Sequence, residues 1–447
     1  MNVIKLRDTK VRDEDFLIDF AAIPEGIDLL PEHFEDAVEI SNTQLKEAKQ
    51  WQAYLNALAL FAFEEWLAER EPNLSVKRAN CSLLKPEYAN LIPVVSNLKA
   101  GDFKVCLIVA GAISEWVTVP RAAIELPEFI PHFYVLLDVE EELEIASIRG
   151  FLTYDELEKA LSKLQPEPDW TYQLPGNLFR QDADDLLLYL CCLNSKNGAL
   201  SLPAATDSNK SVLTTFRDKL AKTLPQLGEA DLWEIFDWEE GVRILRNPDL
   251  VRGIYQLQKG GIKNTNTYLS DLLKLATEKA VNAANWANNV IDEVGRSLSW
   301  NLILAPSGMR RAQKTPAEEL GELLKNIKEK KNLQVPPEAR SSYLDLELAK
   351  IPLRLYAVTW ATCGVEKEWN LLSILTVIEG DRSPLGIKLR VSDNTNLLSE
   401  RQVKNDGKEG FYNCYVHVLG TWDEKFAVTV AMEGDGLEKT TIFEWNA

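Results

Sequence analysis

The spacing of apolar residues changes along this chain, and the change constrains its fold more than any other feature. From about Asn42 to Arg70, Leu45, Ala48, Trp51, Leu55, Leu58, Ala62 and Trp66 recur at steps of three and four, the spacing of one buried helical stripe. Near the C-terminus the step shortens to two. There Ile387, Leu389 and Val391 alternate with Lys388 and Arg390, as a half-buried strand requires. Blocks of each kind in one chain of 447 residues predict a multidomain α+β protein.

Three domains are expected. The first, 1–176, joins the long helix to a small β-sheet or partial barrel. Ser41 with Gln44 suits a capping box for the helix, and Pro72 closes it. KVCLIVA, EWVTV and FYVLLDV supply the strands, and Thr153 with Glu156 caps a further helix through Leu164. The second domain, 177–340, is a helical region. It includes DADDLLLYLCCL, KSVLTTFRDKLAKTL, an alanine-rich face from Leu269 to Val294, and a helix opened by Thr315, Pro316 and Glu318 that runs to Lys331. The third, 341–447, holds about seven strand candidates and reads as a β-sandwich of immunoglobulin-like or similar type. Turns at Asp406-Gly407 and Glu433–Gly436 fit hairpins.

Charge narrows the function classes. Lys plus Arg total 49 against 68 for Asp plus Glu, a net charge of −19. Such a field repels phosphate backbones and anionic lipid, so no direct nucleic-acid or membrane partner is expected and a basic protein partner is favoured. No apolar run has the length of a membrane span, and MNVIKLRDTKVRDED lacks the apolar core of a signal peptide, so a cytoplasmic protein is expected. The six cysteines contain no CxxC pair, which fits a reducing compartment.

Chemistry-bearing motifs are sparse. The histidines His33, His132 and His417 are not spaced as metal ligands. Cys414 and His417, three apart on a strand, point to opposite faces, and His132 with Cys106 is the remaining thiol–imidazole combination for a hydrolase. Cys191 and Cys192 sit in an apolar helix and read as core. GxSxG, GxxxxGK[ST] and GxGxxG are absent. Asp182, Asp184 and Asp185 suit the positive end of a helix dipole without any metal. No catalytic residue, metal ligand or cofactor is therefore assigned. Most of the twelve tryptophans, Trp51 and Trp66 included, read as core.

Two charged stretches are candidate interaction surfaces. One is acidic, at Glu140, Glu141 and Glu142, on a hairpin edge. The other is basic, at Arg310, Arg311, Lys314, Lys328, Lys330 and Lys331, in a segment with seven basic against four acidic residues.

Five stretches carry a family resemblance: WQAYLNALALFAFEEWL from Trp51, VPRAAIELPEFIPHFYVLLDV from Val119, IRGFLTYDEL from Ile148, DWTYQLP from Asp169 and EKFAVTVA from Glu424. They resemble a family of uncharacterised cyanobacterial proteins, a domain of unknown function. That resemblance implies no catalytic residues. It implies a context, as companions of sigma factors and of caspase-like or sensor proteins. The expectation is a non-enzymatic regulatory or adaptor protein that binds a protein partner, such as a sigma factor held in an anti-sigma-like way, or serves in a caspase-like protease pathway. The alternatives are a cysteine-dependent hydrolase using Cys106 or Cys414, and a ligand-binding sandwich presenting Trp360, Trp369 or Trp422.

Overall fold

The computed structural model describes residues 26–78, 81–111, 115–192, 202–203, 213–260, 265–303, 315–331, 333–363, 367–378, 386–405, 412–434 and 436–446. The fold is α+β, with a curled sheet near the N-terminus and a strand-rich C-terminal region. Two compact units are present. One takes the described residues of Met1–Leu84, Val94–Glu167 and Thr171–Ala204. The other takes those of Lys85–Pro93, Pro168–Trp170 and Ala205–Ala447.

The first unit holds strands β1 (Gly26–Asp28), β2 (Val76–Lys77), β3 (Ser96–Ala100), β4 (Phe103–Val109), β5 (Trp116–Pro120), β6 (Phe133–Glu140), β7 (Ile145–Thr153) and β8 (Thr171–Pro175). Helices α1 (Pro31–Ser41) and α2 (Glu47–Arg70) precede most of them. A one-turn helix, α3 (Pro86–Ala89), belongs to the second unit, and α4 (Arg121–Glu125), α5 (Tyr154–Leu161) and α6 (Ala183–Cys192) complete the first.

The long helix divides differently from its expected Asn42–Arg70 span. Pro31 sits in the first turn of a separate helix, α1, and the Ser41 and Thr43 hydroxyls donate back to the Val38 and Ile40 carbonyls. Those bonds close α1, so Ser41 ends that helix, Gln44 lies in the connection, and neither caps α2. Thr153 and Glu156 do form the expected capping box, at the start of α5.

The main sheet has the order β1-β7-β6-β4-β3-β2, with β4 and β6 parallel and the other pairs antiparallel. Alternation sends Phe133, Val135 and Leu137 toward α2, where they meet Leu58, Phe61 and Phe63 in one core. On the other face Tyr134 donates to the Ala123 carbonyl of α4 at 2.8 Å. EWVTV does not join this sheet. It becomes β5, which among the described residues pairs with β8 alone. Gly150 is required within β7, where the Phe179–Arg180 backbone passes so close that a Cβ would lie 2.5 Å from the Arg180 carbonyl oxygen.

The second unit begins with helices α7 (Leu213–Thr223), α8 (Leu232–Ile235), α9 (Trp238–Leu245), α10 (Pro248–Gln258) and α11 (Thr265–Thr277). Trp170, at φ 59°, is buried against Trp233 and Trp238, and only a glycine at 241 leaves room for its ring. The expected alanine-rich helix to Val294 stops at Thr277. Strand β9 (Val281–Asn282), a 3-10 turn and helix α12 (Glu293–Ser297) replace its second half. Asn282 and Asp292 side chains capture the backbone N–H groups of Ala284 and Gly295, which breaks the helical ladder locally.

Strands β10 (Asn301–Leu302), β11 (Arg340–Leu348), β12 (Ile351–Cys363), β13 (Lys367–Val377), β14 (Ile387–Ser392), β15 (Leu397–Gln402), β16 (Lys404–Asn405), β17 (Tyr412–Thr421), β18 (Phe426–Met432) and β19 (Glu438–Glu444) form the sandwich. One sheet runs β10-β11-β12-β13-β17-β16 and the other β15-β14-β18-β19-β9. Leu353, Leu355, Leu371 and Leu375 of the first meet Leu389, Val391, Val428 and Val430 of the second in the shared core. Helix α13 (Pro316–Lys331), opened by the expected Thr315–Glu318 box, covers the outer face of the first sheet with Leu320, Leu323 and Ile327. The expected Asp406-Gly407 turn lies outside the described residues.

Helix α11 docks on the outer face of the second sheet through buried charge. Asp271, fully buried, receives Arg390 Nε at 2.8 Å and Nη2 at 2.9 Å, with Ser392 at 2.7 Å and Thr429 at 3.1 Å. Arg390 also reaches Glu438 at 2.6 Å, and Lys274 bonds both Glu438 and Thr440. Burial pushes the Glu438 carboxyl up, but the bonds from Lys274 and Arg390 outweigh it and hold that carboxyl down at about 2. A depressed carboxyl stabilises the fold above its unfolded value, so this contribution is present from about pH 4.5 upward and is lost as pH falls toward 2. Acid unfolding followed by circular dichroism should therefore show less stability loss across that window in Glu438→Gln than in the parent. Arg390→Leu, which strands Asp271, should cost about 3–5 kcal/mol in denaturant unfolding at neutral pH.

Candidate functional site

The acidic stretch read from the sequence is the turn joining β6 to β7. Glu141–Leu143 make one 3-10 turn, ended by Glu144 in the left-handed region at φ 56°. Glu140 and Glu142 are exposed and Glu141 is half-buried. Helix α2 delivers two aromatic rings to this turn. Tyr54 donates to Glu141 Oε1 at 3.1 Å, and Trp51, almost one helical turn earlier, stacks on Tyr54 with ring centroids 5.5 Å apart. Burial, then the bond to Glu141 and its charge, push the Tyr54 hydroxyl up to about 12, so it stays a neutral donor.

Trp51 is 57% exposed and Leu143 63%, which corrects the expectation that Trp51 lies in the core; Trp66 does lie there. The buried part of α2 starts only at Ala53, so the first turn of the helix carries its indole into solvent. The result is an exposed indole linked through Tyr54 to Glu141, on a turn that also carries the exposed Glu140, Glu142 and Leu143. Such a surface suits a cationic side chain, which gains from the π-face and the carboxylates together.

Behind the turn lies a buried carboxyl. Asp138 shares a strand face with Glu140, opposite the residues that meet α2. It is only 4% exposed, and its Oδ2 has no hydrogen-bond partner among the described residues. Burial pushes its carboxyl up, Arg149 opposes this and Glu140 adds to it.

Of the basic stretch, Arg310, Arg311 and Lys314 lie outside the described residues. Lys328, Lys330 and Lys331 are exposed in the last turn of α13, where cations complement the helix dipole. They belong to the second unit and the acidic turn to the first.

Among the described residues the thiols and imidazoles form no pair. His132 lies opposite Lys104 and its Nδ1 accepts the Lys104 N–H at 2.8 Å, while Cys106 lies opposite Tyr134. Burial, with the Lys104 charge, lowers His132 to about 4. Burial also raises the Cys106 thiol, and that of Cys414 to about 12, which opposes a thiolate at either site. Cys414 faces the sandwich core, whereas His417, on the other face, stacks on Trp360 at 5.4 Å and bonds Asn370. His33 accepts the Leu30 N–H and stacks on Phe61. Cys191 and Cys192 are both exposed, not core, because the buried stripe of α6 is Leu186 and Leu190. Asp182 accepts the N–H groups of Asp184 and Asp185, a local helix-start arrangement. Among the described residues no group of three or more His, Cys, Asp or Glu converges as a metal site would.

The tryptophan platform does not assemble. Trp369 is wholly buried, donating to the Thr421 carbonyl and packing on Phe426 and Trp445, so it is not an exposed ligand platform. Trp360 is nearly buried beneath His417, and Trp422 is half-buried beside Lys367. Among the described residues no helix is long and apolar enough to cross a membrane.

Two outcomes check this description. A carboxyl raised by burial destabilises the fold once ionised, so stability falls as pH rises through its folded value. Asp138→Asn should therefore raise stability at pH 7 by roughly 1 kcal/mol and by much less near pH 3, as read from paired denaturant curves. Alkylation of the folded protein with mass-spectrometric mapping should label Cys191 and Cys192 well before Cys81, Cys106 or Cys414.

No curated protein and no solved structure matches the chain. A family model does, from residue 27 to residue 441, spanning the acidic turn, α2 and nearly all of the sandwich. The chain belongs to the family described as a protein of unknown function (DUF1822).

Proposed function

We propose that this is a non-enzymatic regulatory or adaptor protein that binds a basic protein partner through the acidic, aromatic turn of its first unit. The observation that carries the reading is Trp51, exposed and stacked on a tyrosine that is itself tied to Glu141. Leaving an indole in water forfeits a large hydrophobic gain, and rigid aromatic anchors of this kind dominate protein interfaces. Glu140 and Glu142, exposed on the same turn as Glu141, add the charge that steers a cationic surface, in a chain of net charge −19. The raised thiols of Cys106 and Cys414 support chemistry-free recognition over thiol catalysis.

A DNA-binding partner such as a sigma factor fits this surface, because carboxylates would then occupy the positions that phosphates take in the DNA complex. The protein would act in the cytoplasm and compete with DNA for that partner. The exposed Lys328, Lys330 and Lys331 supply a surface of opposite sign in the second unit.

Titration of a purified sigma factor, followed by fluorescence anisotropy at several salt concentrations, tests the proposal. Affinity should fall as salt rises, and Trp51→Ala should cost about 2 kcal/mol, mostly through faster dissociation. Glu140→Lys with Glu142→Lys should slow association and flatten the salt dependence. Binding that ignores salt and both sets of substitutions, or no binding at all, removes this partner and this surface.

A further inference from the structure

The inner face of the first sandwich sheet is built largely from apolar rungs, interrupted by two neighbouring ones that carry hydroxyls. One rung is Leu344, Leu355, Leu375 and Cys414; the second rung beyond it is Arg340, Thr359, Leu371 and Val418. Between them lies Leu302, Ser342, Ala357, Ser373 and Val416, where three small side chains stand abreast on β11, β12 and β13. Ser342 and Ser373 are fully buried and Thr359 is 2% exposed. None of their three hydroxyls has a hydrogen-bond partner among the described residues.

The small-residue rung sets less side-chain volume into the core than its leucine neighbour does, and buried hydroxyls without partners carry a desolvation cost that bound water relieves. From this we infer that the rung binds ordered water inside the sandwich. The geometry sets the number. Ser342 and Ser373 flank Ala357 on strands about 4.8 Å apart, so the two serines stand about 9.6 Å from each other. One water spans about 5.6 Å between two oxygens and cannot join them. Two waters in file span about 8.4 Å, which the serines close by leaning toward each other. The pair of waters lies over the Ala357 methyl group, and Thr359, two residues along β12, supplies a further hydroxyl to satisfy them.

The site is a polar ligand site in an apolar layer, and it reverses the sign expected of a mutation. Removing a hydroxyl that has no partner raises stability, whereas removing one that holds water lowers it. Denaturant unfolding of Ser342→Ala, Ser373→Ala and the double variant reads that sign, in substitutions too small to prevent folding. Both single variants should unfold at lower denaturant than the parent, and the double variant should lose less than the two losses added, since either substitution breaks the same file. A crystal structure of the parent at about 1.8 Å resolution should show two solvent peaks near 2.8 Å from Ser342 Oγ and Ser373 Oγ. Midpoints that rise or stay unchanged, or a rung closed over by neighbouring side chains in the crystal, overturn the inference.

Discussion

The contact between Asp271 and Arg390 organises the second unit. Each is almost wholly removed from water, and neither charge is tolerable there without the other. The guanidinium is forked onto the carboxylate, Ser392 and Thr429 fill the remaining lone pairs, and Glu438 with Lys274 extends the set. Such a network adds little net stability over an apolar contact of the same volume, because desolvation offsets the Coulomb gain. What it does is discriminate. A shift of α11 along the sheet would strand Asp271 in an apolar layer, so one docking position is far better than its neighbours. The second sheet beneath thus has one face packed inward on the opposing sheet and the other turned outward onto charge.

The first unit solves a different problem. Its sheet is covered on both faces, which suits the near-continuous apolar run of β6, buried from Phe133 to Asp138. Where that strand emerges, the chain turns through four glutamates, and α2 begins at the same rim. The exposed indole of Trp51 is a consequence of helix length: α2 overhangs its core by more than one turn. Recognition chemistry is thus concentrated where the packed layers end.

Much of the architecture was legible in the sequence. Thr153 with Glu156, and Thr315 with Glu318, mark helix starts because a capping box is complete within four residues. The strands of the sandwich were legible because alternation is a property of the strand itself. The failures have the same cause seen from the other side. The expected helix from Leu269 to Val294 ignored a two-residue strand that exists only because β19 lies alongside it. Trp51 and Trp66 fall on one stripe, yet whether a stripe residue is covered depends on where the neighbouring layer stops. Cys191 and Cys192 looked apolar in context, and only the stripe of α6 that packs inward separates them from Leu186 and Leu190.

The sequence by itself determined most of the periods, two of the three expected capping boxes, the net charge and the family. These depend on neighbours within a turn or a strand, or on composition. The tertiary structure decided which distant residues meet. Tyr54 and Glu141 are 87 positions apart, and Asp271 and Arg390 are 119 apart. Hydrogen bonds and ion pairs act over a few ångströms, so no local pattern encodes such partners. Burial follows from layers closing over one another, and that closure turned one acidic stretch into a surface with an aromatic anchor.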